Sequence, residues 1–597
     1  MPVVIASPVS PPTWALLQRQ LLREASEACR AFHAKYFDQR GFLECVPRWG
    51  GDDGPDDAAE NLLNWTMLHA LGAPDWLLGL YRHGWEGHLR QYTEARTSEV
   101  PFARDGMYYK EFPVMFDWFH NGEGYSAFFL EGLCDPDNRE FRRRTRRFAG
   151  FYLGDEPGAD NFDPELCLVR SMFNGSRGPL LRKATALDWA GDPIEIEGRF
   201  RPGHGEASYA QMLEHFAEYN DVDGDSPLNF GITTPMLNAF MLDGEPRYRD
   251  WITAYMDKWI ERTDANGGII PTIVGPDGVV GSPCGDRWYG GVYGWGFTVS
   301  VPGSDSKAHR PFFSHRAPYG FGNALLLTGD RRYVETWRGV IQAVNANSRQ
   351  GPDGVEYPRM FGDDGWYDYC ANPFQDGAEE ILYWSHDATG LPAATRSEWH
   401  RFLAGDNPGW PEEALRRDLE EVRSRMEGVR ADPSTPDTRL SDDMNHLNPA
   451  CTEALTRTML GGLPTGRVGY PLHCQLRYFD PEARRAGLPP DVGSLVHAMD
   501  AEGIEVELVN LNVRESRTVQ VQLGAYGEHA VADLRLVDDR QIDRDTLGER
   551  DSVFEVVLEP GCGGRLALGL SRYCRWPTLA FPWRRHGSRE RTGSHIR

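Results

Sequence analysis

The chain has 597 residues, 40% of them hydrophobic and 25% charged, an ordinary globular composition with room for more than one domain. Its formal net charge of −25 argues against nucleic acid, which needs a basic face, and more weakly against anionic membranes, because a local arginine cluster can override net charge. The 18 Trp and 23 Tyr fit a large aromatic core or stacking platforms for flat amphipathic ligands, sugar rings among them.

The ten cysteines are scattered, with no CxxC and no Cys/His cluster. They read as reduced thiols of a cytoplasmic protein, with no structural zinc and no implied cofactor. The first twenty residues lack a basic stretch followed by a long apolar run, so no signal peptide is expected.

In chain order, apolar spacing of three and four predicts a helix over 12–37, a turn over 48–57, and a helix over 58–71. A weak repeat follows. Leu71-Gly-Ala-Pro-Asp-Trp76, Leu133-Cys-Asp-Pro-Asp-Asn138, Leu242-Asp-Gly-Glu-Pro-Arg-Tyr248 and Leu327-Thr-Gly-Asp-Arg-Arg-Tyr333 each end a small-residue apolar helix and begin an amphipathic one. Gly or Asp ends the first helix and a carboxylate or Pro starts the second, the signature of an αα-hairpin. The apolar helix should be buried all round, its partner on one face. Repeated in one chain, such pairs predict a closed ring of hairpins. Further helices are expected near 374–385, 396–403, 411–429 and 449–460. The connecting loops, 99–122, 154–207, 264–316 and 349–373, are long and structureless, and in a ring they gather on one face.

Beyond Arg430 the composition changes. Asp432-Pro-Ser-Thr-Pro-Asp-Thr438 reads as a linker. Alternating runs at 503–511, 518–523, 530–537 and 553–558 predict half-buried antiparallel strands of a β-sandwich. The expected organisation is a toroid over 1–430, a linker over 431–447, a sandwich over 448–580 and a disordered basic tail over 581–597.

This (α/α)6 toroid followed by a C-terminal antiparallel β-sandwich resembles the six-hairpin carbohydrate-active enzymes, glycoside hydrolases and toroid-type polysaccharide lyases. The resemblance rests on the hairpin echoes at 242–248 and 327–333 and on the sandwich, and covers roughly residues 12–575. It matches no named catalytic motif and transfers no catalytic residue. It implies glycan cleavage at the loop face, in a cleft lined by aromatics.

The loops supply candidate chemistry. Residues 105–125 hold Glu111, Asp117, His120, Glu123 and Tyr125. Glycoside hydrolysis needs one carboxyl to protonate the leaving oxygen and another to activate water or attack carbon. Asp117, His120 and Glu123 are catalytic candidates, although Asp117 also fits a helix cap and Glu123 a first-turn acid. Glu111 and Tyr125 are binding candidates. The helix following this loop is expected from Glu123.

Cys284-Gly-Asp-Arg-Trp-Tyr-Gly-Gly-Val-Tyr-Gly-Trp-Gly-Phe297 alternates five aromatics with five glycines. Glycine allows close backbone approach and the rings supply flat faces. The run reads as a substrate platform of Trp288, Tyr289, Tyr293 and Trp295 with Asp286 and Arg287 as polar anchors, or as a tightly turned core segment. His315, Arg316 and Tyr319 stand before the next apolar helix. They could bind a uronate carboxylate and abstract the neighbouring proton, which is lyase chemistry.

Phe361-Gly-Asp-Asp-Gly-Trp-Tyr-Asp-Tyr369 offers Asp363 and Asp364 as catalytic carboxylates beside Trp366 and Tyr367, or an Asx-turn. Gly203-His-Gly-Glu206 adds His204 and Glu206. Asp221, Asp223 and Asp225 stand at alternate positions, as in a calcium loop, but the sixth position is Ser226 and the twelfth Ile232, so no metal is assigned. Asp225 and Asn229 are instead expected to face the ligand.

The leading expectation is a glycoside hydrolase acting on an oligo- or polysaccharide. β-Elimination on a uronic-acid-containing glycan is the runner-up. A sugar epimerase and a non-catalytic glycan-binding scaffold are the remaining alternatives.

Overall fold

The computed structural model describes residues 2–45, 55–94, 108–109, 112–113, 118–155, 161–170, 174–175, 178–179, 224–289, 298–300, 307–309, 317–466, 468–537, 540–541 and 551–585. Candidates Glu111, Asp117, His204, Glu206, Asp221, Asp223, Tyr293, Trp295, His315 and Arg316 lie outside these residues.

The N-terminal region is helical. Helix α1 (Thr13–Tyr36) buries Trp14, Leu17, Leu21, Ala25, Phe32 and Tyr36 along one stripe, as its periodicity predicts. The single helix expected over 58–71 is two, α2 (Pro55–Glu60) and α3 (Trp65–Leu71), because Asn64 between them takes a left-handed φ of 67°. Helix α4 (Asp75–Glu94) completes the first pair. Helix α5 (Trp118–Phe129) starts five residues before Glu123, so His120 belongs to its first turn. Helix α6 (Arg139–Gly150) is capped by Asn138, whose side chain accepts from Phe141 N at 2.9 Å.

The later pairs follow the hairpin rule closely. Helix α7 (Thr233–Asp243) is buried all round from Thr233 to Met241 and ends at Gly244, with φ 70°. Pro246 then starts α8 (Pro246–Ala265), which buries Tyr248, Trp251, Ile252, Tyr255, Met256 and Trp259. Helix α9 (Ala317–Thr328) is followed by α10 (Arg332–Asn345), which buries Tyr333, Val334, Trp337, Val340, Ile341 and Val344. Helices α11 (Ala378–Ser385), α12 (Glu398–Leu403), α13 (Trp410–Ala431) and α14 (Glu453–Leu460) follow. The apolar helices pack side by side, α5 on α7, α7 on α9 and α9 on α11. Glycine makes the approach close: a Cβ on Gly320 would meet Phe230 at 2.7 Å, and one on Gly322 would run into the Trp384 ring.

The 349–373 stretch is not structureless. It forms a β-hairpin of β2 (Gly354–Gly362) and β3 (Gly365–Cys370), which extends through Phe361 to the short strand Lys307–His309. Gly362 pairs with Gly365, so Asp363 and Asp364 are its two-residue tip.

Two five-stranded sheets follow. One runs β1 (Val3–Ile5), β9 (Val553–Leu558), β7 (Arg517–Leu523), β4 (Leu476–Asp480) and the short strand Arg485–Ala486. The other runs β5 (Val492–Met499), β6 (Gly503–Asn510), β10 (Gly563–Ser571), β8 (Ala530–Leu536) and Arg540–Gln541. Their inward residues, Val506 and Leu508 from one and Val519, Val521 and Val556 from the other, join one continuous buried cluster. That arrangement is consistent with a β-sandwich. Val3 pairs with Val556 in parallel, so the start of the chain lies in a sheet built from its far end. Among the described residues no helix is long and apolar enough to cross a membrane.

Candidate functional site

The hairpin tip meets the aromatic–glycine run. Residues 281–289 turn sharply. Gly281 has φ 76°, and a Cβ there would collide with the Arg287 backbone. Asp286 holds a left-handed φ of 62° and its N–H donates to Gly281 O at 3.0 Å. Trp288 O accepts from Thr272 N at 2.8 Å and from Thr272 Oγ1 at 2.9 Å, which fixes the backbone from which the two rings project. Tyr289 Oη donates to Asp363 Oδ1 at 2.7 Å and Arg287 Nη1 to the same oxygen at 3.0 Å.

Around this contact Phe361 is a hub. Its ring centroid lies 4.7 Å from Trp288, 5.0 Å from Tyr289 and 4.9 Å from Trp366. Trp288, Tyr289 and Trp366 are half-buried, and Asp286, Arg287, Asp363 and Asp364 are exposed. The result is a partly open aromatic surface edged by carboxylates and one guanidinium. Burial, with Asp363 adding to it, pushes the Tyr289 phenol up to about 12. Tyr367 is half-buried one strand position away, and burial beside Asp368 raises its phenol to about 12 as well.

A second cluster forms between the start of α9 and the last turn of α11. Tyr319, in the first turn of α9, is 5% exposed and stacks on Tyr470 with centroids 3.4 Å apart and planes 12° apart. Trp384 meets Tyr319 edge-on at 5.8 Å and donates its indole N–H to His473 Nδ1 at 3.1 Å. Tyr470 and His473 come from residues 461–466 and 468–475, an irregular strap between α14 and β4. The strap is held to the helices at several points: Tyr383 Oη donates to Gly461 O at 3.0 Å, and Gly469 N–H to Ser126 Oγ on α5 at 2.7 Å. It is held to the sheets as well, by Leu472 N–H donating to Tyr526 Oη at 3.0 Å.

Two glutamates open α11. Glu379 is held by Arg457, whose Nη1 and Nη2 lie 2.7 and 3.3 Å from its oxygens. Glu380 is half-buried, and burial, with Glu379 and Asp376 adding to it, raises its carboxyl to about 7. Its charge also helps hold the Tyr319 phenol well above the usual range, after burial, which is the larger cause. A carboxyl still protonated near neutral pH, next to a buried aromatic floor, is suited to general-acid work.

The other candidates fall elsewhere. Asp225 is fully buried: Oδ1 accepts from Asn229 Nδ2 at 2.8 Å and Tyr255 Oη at 3.0 Å, and Oδ2 from Val169 N at 3.0 Å. Both oxygens are therefore engaged by the protein, and the pair ties residues 168–169 to α8. Burial raises the Asp225 carboxyl to about 6. Tyr125 is 3% exposed and lies among Trp85, Phe128, Phe129 and Phe148. Glu123 is half-buried in α5. Among the described residues no three His, Cys, Asp or Glu side chains converge to hold a metal ion. Glu380, Trp384, Tyr470 and His473 are not among the residues that sequence reasoning selects. The one available signal for Glu380 is an adjacent pair of acids at a helix start.

A family model described as "Domain of unknown function (DUF8034)" matches residues 4–361 and 391–456. No curated protein matches the sequence. Among solved structures, cellobiose 2-epimerase from Bacillus thermoamylovorans B4167 is similar at a TM-score of 0.35 and 9% identity, over 72% of this chain and 98% of the epimerase chain.

Proposed function

The chain belongs to the DUF8034 family, and we propose that it is a glycan-cleaving enzyme of the glycoside-hydrolase class, built as an α/α toroid over residues 1–430 with a β-sandwich over 448–580. The observation that carries this reading is the meeting of the 284–289 run with the 361–366 tip. It sets Asp363 and Asp364 beside the half-buried rings of Trp288, Tyr289 and Trp366. Sugar rings stack on such surfaces, and hydrolysis of the bond between them needs carboxyls at the edge.

In this reading Glu380 is the general acid. It holds a proton near neutral pH and delivers it to the leaving oxygen. Asp363 or Asp364 supplies the second carboxyl, as base toward water or as nucleophile. Arg287 and Asp286 contact sugar hydroxyls. Asp117, His120 and Glu123 stay candidates for the same cleft in this reading, because in a ring the starts of the apolar helices share one face. The side-by-side packing of α5, α7, α9 and α11 supports that arrangement. Elimination is less well supported: its base would be a tyrosine or histidine, and the Tyr319 phenol is held well above its usual range by burial, which keeps it protonated.

The test is incubation of the purified protein with a panel of neutral and uronate-containing oligosaccharides. New reducing ends without an unsaturated product are expected. Ultraviolet absorbance from an unsaturated uronate would replace hydrolysis with elimination. A change of sugar configuration without cleavage, read by proton NMR, would replace it with epimerisation.

A further inference from the structure

We propose that His473 is a sugar-binding residue, presenting its Nε2–H to a hydroxyl or ring oxygen of the glycan from the strap that crosses α9 and α11. The proposal rests on the glycan-cleaving reading above and adds to it a residue from outside the helical region.

Three observations carry it. First, the tautomer is set. An indole N–H only donates, and Trp384 Nε1 donates to His473 Nδ1 at 3.1 Å, so the neutral ring carries its hydrogen on Nε2. Burial pushes the imidazolium down to about 3, which keeps the ring neutral across the physiological range. Second, Nε2 is buried and makes no hydrogen bond. His473 is 3% exposed, so this is an N–H held away from water without an acceptor. Such a group destabilises the fold unless something else completes it, and a ligand oxygen would do so.

Third, the ring lies among aromatic side chains, the surfaces on which sugar rings stack. The His473 ring lies 5.8 Å from Tyr319 and 5.2 Å from Trp384, with Tyr470 stacked on Tyr319. Tyr319 also feels the Glu380 carboxyl. A neutral N–H donor among aromatic rings can pair with an uncharged oxygen, as sugars offer, without the cost of bringing a charge into a buried site.

The strap is built to hold this ring in place. Leu463 N–H donates to His473 O at 2.9 Å, and Gln475 N–H to Leu460 O at 3.1 Å. His473 is thus pinned on its backbone by the strap and on Nδ1 by α11. Only Nε2 remains for a ligand.

The experiment uses the full chain labelled with [15N]histidine. Long-range proton–nitrogen spectra should show His473 as the Nε2–H tautomer, and Trp384→Phe should release it into a mixture. Glucose, galactose, mannose, N-acetylglucosamine and glucuronate are then added one at a time. At least one should move the His473 resonances saturably. If the oligosaccharide panel is also cleaved, His473→Phe should raise KM about tenfold or more with a smaller change in kcat, and His473→Gln, which keeps an N–H donor, should recover part of it. Cleavage with His473 resonances unmoved by every sugar overturns this proposal and leaves the hydrolase reading intact. Resonances that move without any cleavage uphold it and overturn hydrolysis. Neither cleavage nor a shift overturns both.

Discussion

Tyr289 Oη and Asp363 Oδ1 lie 2.7 Å apart, although 74 residues separate them in the chain. The contact joins a glycine-rich turn to a hairpin tip, and Arg287 strengthens it with a charged donor to the same oxygen. Because burial and Asp363 push the phenol up to about 12, Tyr289 stays protonated and keeps donating at physiological pH. The bond therefore aims the carboxylate without neutralising it.

That geometry predicts the behaviour of Asp363→Asn. The side chain is 36% exposed, so the lost ion pair should change stability by no more than about 1 kcal/mol. Activity should fall by about a hundredfold or more if Asp363 is the base or nucleophile. Tyr289→Phe, which removes only the aiming bond, should cost about tenfold. Thermal unfolding beside steady-state kinetics checks both variants. A large loss of Tm with kcat intact would remove Asp363 from the mechanism.

Glu380 predicts the pH profile. Its carboxyl, raised to about 7, donates a proton only below that pH, so kcat/KM should fall on the alkaline side with a midpoint near there. Glu380→Gln should abolish most activity and the alkaline limb with it. Stability carries the same signature. A carboxyl whose folded pKa is raised binds more protons folded than unfolded between its ordinary value and about 7, so the unfolding free energy falls as pH rises through that window. The glutamine variant should flatten that slope, which denaturant melts at a series of pH values can measure.

The parts of this site differ in how far the sequence reveals them, for physical reasons. Trp288, Tyr289, Asp363 and Asp364 are legible because glycine beside aromatics and acids is unusual local chemistry. The hairpin that carries Asp363 is not, since Pro358 interrupts its first strand and argues against a ladder there. The helical pairs of α7 to α10 are legible from periodicity and from Gly244 and Pro246 at their turn. The split at Asn64 depends on one left-handed backbone residue and leaves no periodic trace. Glu380 looks like an ordinary first-turn acid, favoured by the helix dipole, and what sets it apart from Glu379, the arginine that pairs with Glu379 and the surroundings that raise the Glu380 carboxyl, comes from distant parts of the chain. Tyr470 and His473 sit beyond the change in composition after Arg430, and no local pattern links them to α9 and α11.

Asp225 illustrates the opposite case, a conspicuous acid whose two oxygens accept three hydrogen bonds from the protein. Asp225→Ala should leave Asn229 and the Tyr255 hydroxyl without their acceptor in a dry interior. The expected cost is about 3 kcal/mol or more, read as a lower denaturant midpoint. KM for any cleaved oligosaccharide should stay unchanged in the fraction that folds. A raised KM with an unchanged midpoint would return Asp225 to the ligand.

Gly469 tests whether the strap matters to the site as a unit. Its φ of 76° is left-handed, its N–H donates to Ser126 Oγ at 2.7 Å, and a Cβ there would sit 2.9 Å from Gly122 O. Gly469→Ala therefore adds backbone strain and a contact with α5 too short to keep. The strain should be relieved locally by a shift of the strap, at a cost of about 1–2 kcal/mol in global stability. Tyr470, the next residue, would then leave its 3.4 Å stack on Tyr319, and activity should drop far more than stability does. Gly339→Ala, inside α10 with open space around the added methyl, is the control: it should raise stability by about 0.5–1 kcal/mol through helix propensity and leave activity unchanged. Equal activity in the two variants would show that Tyr470 and the strap around it contribute nothing to the reaction.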